Sequence, residues 1–215
     1  MQDTKKIKSF SKSFSKLSLD THGVRLPDFE IESKSRKAYG VSEDKSNHYF
    51  LRSLSYAGYE DKLKLHKIDP KDADKYVERA KYELDTILDL GFVDYILLVW
   101  DVINFCKRND VPIGLGRGSA AGSLILYLIG VTGIDPIKHE LFFERFISKT
   151  RAKKKVVNGV TYLDGSLMCD VDLDICYYKR QAVLDFLENK FKNRTAKILT
   201  LNTLSGKLLI KECGK

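Results

Sequence analysis

A chain of 215 residues with 43% hydrophobic and 31% charged side chains has the material for one sizeable core, with or without an arm. Its formal net charge of +8 makes an anionic partner an expectation, although charge alone selects none. The longest apolar run, residues 124–131, is far too short to span a bilayer, and the basic N-terminus lacks the apolar stretch of a secretory signal.

In chain order, residues 1–22 read as a basic flexible arm, with the tandem Ser-Phe-Ser-Lys-Ser-Phe-Ser-Lys inside it. Residues 26–31 read as an extended entry strand, because Pro27 disfavours a helix start there. Tyr49, Phe50, Leu54 and Ala57 recur at helical spacing. A longer helix follows from Asp69 to Gly91, with Asp69 as its cap, Pro70 in its first turn and Gly91 just past its end. Its expected buried stripe is Tyr76, Val77, Ala80, Leu84, Ile87 and Leu88. The next helix covers residues 95–108, with Leu98, Val102 and Phe105 inward.

Pro112 and Ile113 form a short expected strand that enters a glycine-rich turn, and residues 120–129 form the helix that the turn opens. A short helix begins at Asp135-Pro136, and Lys149 to Lys155 make a basic loop. Asn158-Gly159 between β-branched residues predicts a tight hairpin. A helix with Val183, Phe186, Leu187 and Phe191 inward, a strand at 196–201 and a helix start at Thr203 complete the chain, which stops inside an unfinished helical segment. Strands alternating with helices imply an α/β (α+β) layer architecture. Cys106, Cys169, Cys176 and Cys213 make no CxxC pair, which argues against zinc and for reduced thiols in a cytoplasmic protein. The four histidines are scattered and receive no role.

Two stretches carry chemistry. In Gly114-Leu115-Gly116-Arg117-Gly118-Ser119 the glycines let backbone N–H groups approach an anion closely. Arg117 adds a guanidinium fork and Ser119 a hydroxyl, so Gly116, Arg117, Gly118 and Ser119 are the candidate phosphate binders. No Gly-Lys-Ser/Thr closes the turn, so it is not a P-loop, and tight packing alone remains an alternative. In Asp170-Val171-Asp172-Leu173-Asp174 the carboxylates fall at every second position, which on a strand turns them to one face. Such a cluster invites a cation, and Mg²⁺ suits one or two carboxylates plus substrate phosphates. The pairing points to phosphoryl transfer assisted by two metal ions. The basic residues Arg151, Lys153, Lys154 and Lys155 lie between the two stretches and are nucleic-acid-binding candidates.

The runs Gly91-Phe92-Val93-Asp94-Tyr95-Ile96-Leu97, Pro112-Ile113-Gly114 through Leu124, Asp135-Pro136 and Leu141-Phe142-Phe143-Glu144-Arg145-Phe146 resemble, in order and spacing, the palm of family C bacterial replicative DNA polymerases, the DNA polymerase III alpha subunits. The likeness covers roughly residues 76–214. It implies a polymerase beta-like nucleotidyltransferase palm with helices packed on a mixed sheet. The domains would be the arm at 1–22, the palm at 23–202 with an inserted hairpin about 149–167, and the start of the thumb at 203–215.

The resemblance implies that Gly118 and Ser119, with Arg117 beside them, contact the triphosphate of a dNTP. It assigns Asp172 and Asp174 as the catalytic metal ligands for two Mg²⁺ ions, with Asp170 matching the first aspartate of the motif. Cys169 and Ile175 stand where the family has proline and phenylalanine. A phosphoesterase domain, a third metal-binding aspartate, the fingers and the clamp-binding region have no counterpart in these residues. The expectation is therefore a piece of a split polymerase, bacterial or phage-encoded, acting on primer-template DNA in the cytoplasm and inactive without a second polypeptide that carries the rest. A non-catalytic DNA-binding or assembly module and an inactive truncated product are the alternatives.

Overall fold

The structure, a computed structural model, describes residues 28–148, 154–157, 160–163, 169–192, 194–197 and 206–214. The basic arm lies outside these residues, as do most of the strand expected at 196–201 and the start at Thr203. The chain divides after Cys176 into two compact units.

The first unit is built on helices α1 (Ser33–Ala38), α2 (Asn47–Lys64), α3 (Ala73–Leu90), α4 (Val93–Arg108) and α5 (Leu124–Leu128). Helix α2 buries Phe50, Leu51 and Leu54, the spacing that its sequence announces. The Asp69 carboxylate accepts the Lys71 N–H at 3.0 Å, Pro70–Asp72 forms a single 3₁₀ turn, and α3 follows to Gly91. All five residues of α5 are buried, and Leu124, Tyr127 and Leu128 cluster with Ile68 and Tyr76. Helix α4 lines the other side of the core through Ile96, Leu97 and Ile103. Among the described residues no helix is long and apolar enough to cross a membrane.

The expected stripe of α3 holds only in part. Tyr76 and Ile87 are buried, but Val77 and Leu88 are 54% and 43% exposed, and Glu83 and Thr86 take inward positions. The reason is a polar anchor that outweighs the apolar pattern. The Glu83 side chain accepts Arg79 Nε–H at 2.7 Å, Leu124 N–H at 3.0 Å, Ile125 N–H at 3.1 Å and the Ser123 hydroxyl at 2.8 Å. Arg79 also donates to the carbonyls of Gly122 and Leu141, both at 3.1 Å. One turn earlier, the Tyr76 hydroxyl donates to Asp135 Oδ2 at 2.7 Å, and Asp135 Oδ1 accepts the N–H groups of Ile137 and Lys138. Burial pushes the Glu83 carboxyl above the usual range, while Leu124, Ile125 and Arg79 pull it back.

The expected mixed sheet is not there. Among the described residues regular strands are confined to the hairpin β1 (Lys154–Val157) and β2 (Val160–Leu163), which pair antiparallel with Val157 opposite Val160. That hairpin is the one the Asn-Gly pair predicts. Residues 28–32 form no strand, and the carboxylate segment has no regular structure beyond the isolated bridge Ile175–Ile113. Among the described residues the buried side chains come mainly from helices, which close the core, and the carboxylate segment pairs only at Ile113. Among the described residues a helical fold with one hairpin replaces the α/β palm reading.

The second unit contains a 3₁₀ turn, Tyr177–Lys179, followed by α6 (Arg180–Lys190), and α7 (Gly206–Cys213). Of the residues expected inward on α6, Val183 is buried and Phe186 and Leu187 are half-buried.

Replacing Glu83 by alanine strands Arg79 and three other donors in the core. Urea unfolding is expected to show a loss of about 3–5 kcal/mol. Glu83→Gln, which turns an N–H₂ against a donor, is expected to lose at least about 1 kcal/mol. A change below that in both variants would mean that the anchor is not structural.

Candidate active site

The glycine turn and the carboxylate segment meet in a short antiparallel contact. The Gly114 N–H donates to the Asp174 carbonyl at 2.9 Å, and the Cys176 N–H donates to the Pro112 carbonyl at 3.0 Å. A Cβ on Gly114 would lie 3.0 Å from Asp174 Cβ, so glycine is what lets the two segments close up. Gly118 combines a φ of +66° with a Cβ position 3.1 Å from Asp172 Oδ2. Both glycines thus open room for the carboxylates.

Between them lies Arg117, with extended backbone. Its Nη2 is 3.3 Å from Asp172 Oδ1, and its Nε is 3.3 Å from Asp174 Oδ1. The three side chains are 60% (Arg117), 43% (Asp172) and 66% (Asp174) exposed, so water screens both pairs and each is worth at most about 1 kcal/mol. Asp170 is exposed as well, while Val171, Asp172, Leu173 and Ile175 are half-buried as whole residues. Among the described residues no three His, Cys, Asp or Glu side chains gather into a metal-holding group, so Asp170 does not join Asp172 and Asp174 in one. The Asp172–Asp174 pair nevertheless fits Mg²⁺ in its donor chemistry: an all-oxygen pair, open to solvent.

The remainder of the turn differs from the continuous helix expected at 120–129. Gly118–Gly122 is a 3₁₀ turn containing Ser119, which is half-buried. The backbone then extends at Ser123 (φ −93°, ψ 122°), and α5 starts only at Leu124. The first N–H groups of α5 go to Glu83 and to Ser123 Oγ, so the helix start does not face the turn. Gly116 packs against the Thr132 methyl group, and Thr132 Oγ1 is buried without a hydrogen-bond partner among the described residues. Lys154 and Lys155 lie on β1, opposite Leu163 and Tyr162, while Arg151 and Lys153 fall outside the described residues.

Two neighbours escaped the sequence reading. Tyr95, on α4, accepts the Val171 N–H on its hydroxyl at 3.2 Å, which ties the carboxylate segment to the core between Asp170 and Asp172. Burial first, then Cys169 and the charges of Asp170 and Asp172, push its hydroxyl up to about 12. Cys169 is buried beside Asp170 and is pushed up to about 12, again chiefly by burial. The signal for Tyr95 was its place in the Gly91–Leu97 run, and the signal for Cys169 was its place before the first aspartate. Neither residue type declared its task.

A sequence model of the family described as the bacterial DNA polymerase III alpha NTPase domain matches residues 48–215. The chain is 37% identical to DNA polymerase III subunit alpha of Aquifex aeolicus (strain VF5) over 87% of its own length and 15% of that protein's. Identity to the subunit of the same name is 42% in Ureaplasma parvum serovar 3, over 77% of the chain and 16% of the relative. In Chlamydia trachomatis serovar D it is 35%, over 93% of the chain and 16% of the relative. The match assigns residues 48–215 to that domain family. The chain belongs to the DNA polymerase III alpha family, and it spans about a sixth of these relatives.

Tyr95→Phe removes the acceptor for the Val171 N–H. It is expected to lower stability by about 1 kcal/mol and to speed hydrogen exchange at the Val171 amide more than elsewhere. Because burial keeps Cys169 and Cys106 protonated well above neutral pH, brief iodoacetamide treatment at pH 8 is expected to label exposed Cys213 and spare both. Peptide mass spectrometry showing Cys169 labelled as fast as Cys213 would contradict this.

Proposed function

We propose that this chain is the nucleotide- and metal-holding portion of a DNA-directed DNA polymerase that works in DNA replication, in the cytoplasm, together with polypeptide beyond these 215 residues. One observation carries the reading: Asp172 and Asp174 lie directly against Gly114, Arg117 and Gly118 of the glycine turn. Carboxylates for cations and a glycine turn for phosphates are the two halves of a nucleotidyl-transfer site, and here they adjoin.

In this reading Gly116, Arg117, Gly118 and Ser119 hold the triphosphate of a dNTP, and Arg117 forks onto its oxygens. Asp172 and Asp174 hold Mg²⁺. Two bound ions would lower the pKa of the attacking hydroxyl and stabilise the leaving oxygen. The primer 3′-hydroxyl attacks the α-phosphorus, and pyrophosphate leaves. Lys154 and Lys155 on β1, with Arg151 and Lys153, would supply a sequence-independent grip on the primer-template backbone. The domain reading that accompanies this is a basic arm at 1–22, the catalytic region at 23–202 and the beginning of a following region at 203–215.

The test is primer extension with Mg²⁺, using the chain alone and the chain joined to the remaining regions of a relative's alpha subunit. The chain alone is expected to extend nothing. The joined polymerase is expected to extend, and Asp172→Asn or Asp174→Asn is expected to slow it by at least about a hundredfold. Equal rates with and without the aspartates would favour a non-catalytic DNA-binding or assembly module.

A further inference from the structure

The guanidinium of Arg117 reaches both carboxylates that the proposed reading gives to a cation. It does so with two different nitrogens, Nη2 to Asp172 and Nε to Asp174, each at 3.3 Å. Resting on that reading, we infer that Arg117 is the resident counter-ion of the Asp172–Asp174 pair and gates it. A divalent cation is held there only as the guanidinium leaves, and phosphate at the glycine turn is what draws it away.

Two competitions make the gate. Carboxylates two residues apart repel each other, and Arg117 relieves this in the free chain. An arriving cation seeks the same oxygens and meets a like charge already on them. Separately, the Arg117 nitrogens that lie nearest Asp172 and Asp174 are those that would donate to a phosphate. One guanidinium cannot lie against both anions with the same nitrogens. Phosphate binding therefore frees the carboxylates, and cation binding frees the guanidinium. By linkage each tightens the other by the same factor, before any direct contact between metal and phosphate. Gly118 is central to this geometry: it stands beside Arg117 in sequence and leaves the space that Asp172 Oδ2 occupies. The exposure of all three side chains keeps the pairs weak enough to exchange, and the gate is worth roughly threefold to tenfold in cation affinity.

The experiment is an NMR titration of the 215-residue chain with MgCl₂ at constant ionic strength. The backbone amides of Asp172 and Asp174 report arrival of the cation, and the Arg117 Nε–H signal reports the state of the pair. In the unaltered chain all three signals are expected to move with one midpoint. In Arg117→Gln the amide midpoint is expected to fall roughly threefold to tenfold. Inorganic tripolyphosphate, added without any divalent cation, is expected to shift the Arg117 Nε–H signal. Equal midpoints in both chains, or an Arg117 signal that stays still while the aspartate amides respond, would overturn the gate and leave the cation site standing. Aspartate amides silent in both chains at tens of millimolar Mg²⁺ would overturn the gate and the cation site together.

Discussion

The position of the downstream end of the glycine turn traces back to one buried carboxylate. Glu83 has no exposed surface, and its four donors come from its own helix, from Ser123 and from the first turn of α5. Removing such a group from water costs several kcal/mol, and only a complete set of partners offsets that. The set exists in one arrangement of α3, Ser123 and α5. Arg79 extends the same constraint to the Gly122 and Leu141 carbonyls. The downstream end of the glycine turn is thereby fastened to α3. Its upstream end is fastened by Gly114 and Pro112 to the carboxylate segment, which Tyr95 in turn ties to α4.

Local signals in the sequence were legible wherever one residue type has one physical use. Asp69 and Pro70 opened a helix, Gly91 closed it with φ of +78°, and Asn158-Gly159 marked the hairpin between β1 and β2. Glu83 was not legible. A glutamate on an amphipathic helix reads as a solvated residue, and nothing local shows that its partners lie about forty positions away. Once Glu83 points inward, the helix rotates, and Val77 and Leu88 stay exposed. The sheet failed for a related reason. Two-residue alternation at 170–175 says that a segment is extended and one-sided, but not how many neighbours it finds. Here the pairing stops at Ile113 and Ile175.

For the site, the residue types and their proximity were readable, and their mutual geometry was not. Alternation put Asp172 and Asp174 on one face, and the glycines marked a close approach. Phosphate was the expected visitor at those glycines, yet in the free chain Asp174 and Asp172 occupy the space beside Gly114 and Gly118. Arg117 was read as a phosphate fork, and in the free chain its guanidinium lies within ion-pair distance of both aspartates. A guanidinium binds any planar or tetrahedral oxyanion in reach, so its sequence neighbours alone could not decide between the two.

The two sets of acids in this unit follow opposite physical rules, and the contrast explains the division of labour. Glu83 is sealed, with every acceptor position taken by a fixed donor, so a proton or a new ligand could enter only by breaking the core. Asp172 and Asp174 are open to water and share one exposed guanidinium at 3.3 Å, so their partner can be exchanged at little cost. A site that must release and rebind charged ligands cannot be made of interactions like the first. Nor could interactions like the second hold a turn still. The chain places the permanent carboxylate on α3 and the exchangeable pair on a segment outside the helices, with the glycine turn between them. Both ends of the turn are held by hydrogen bonds that do not involve Arg117, so a change of partner at Arg117 does not have to move the core.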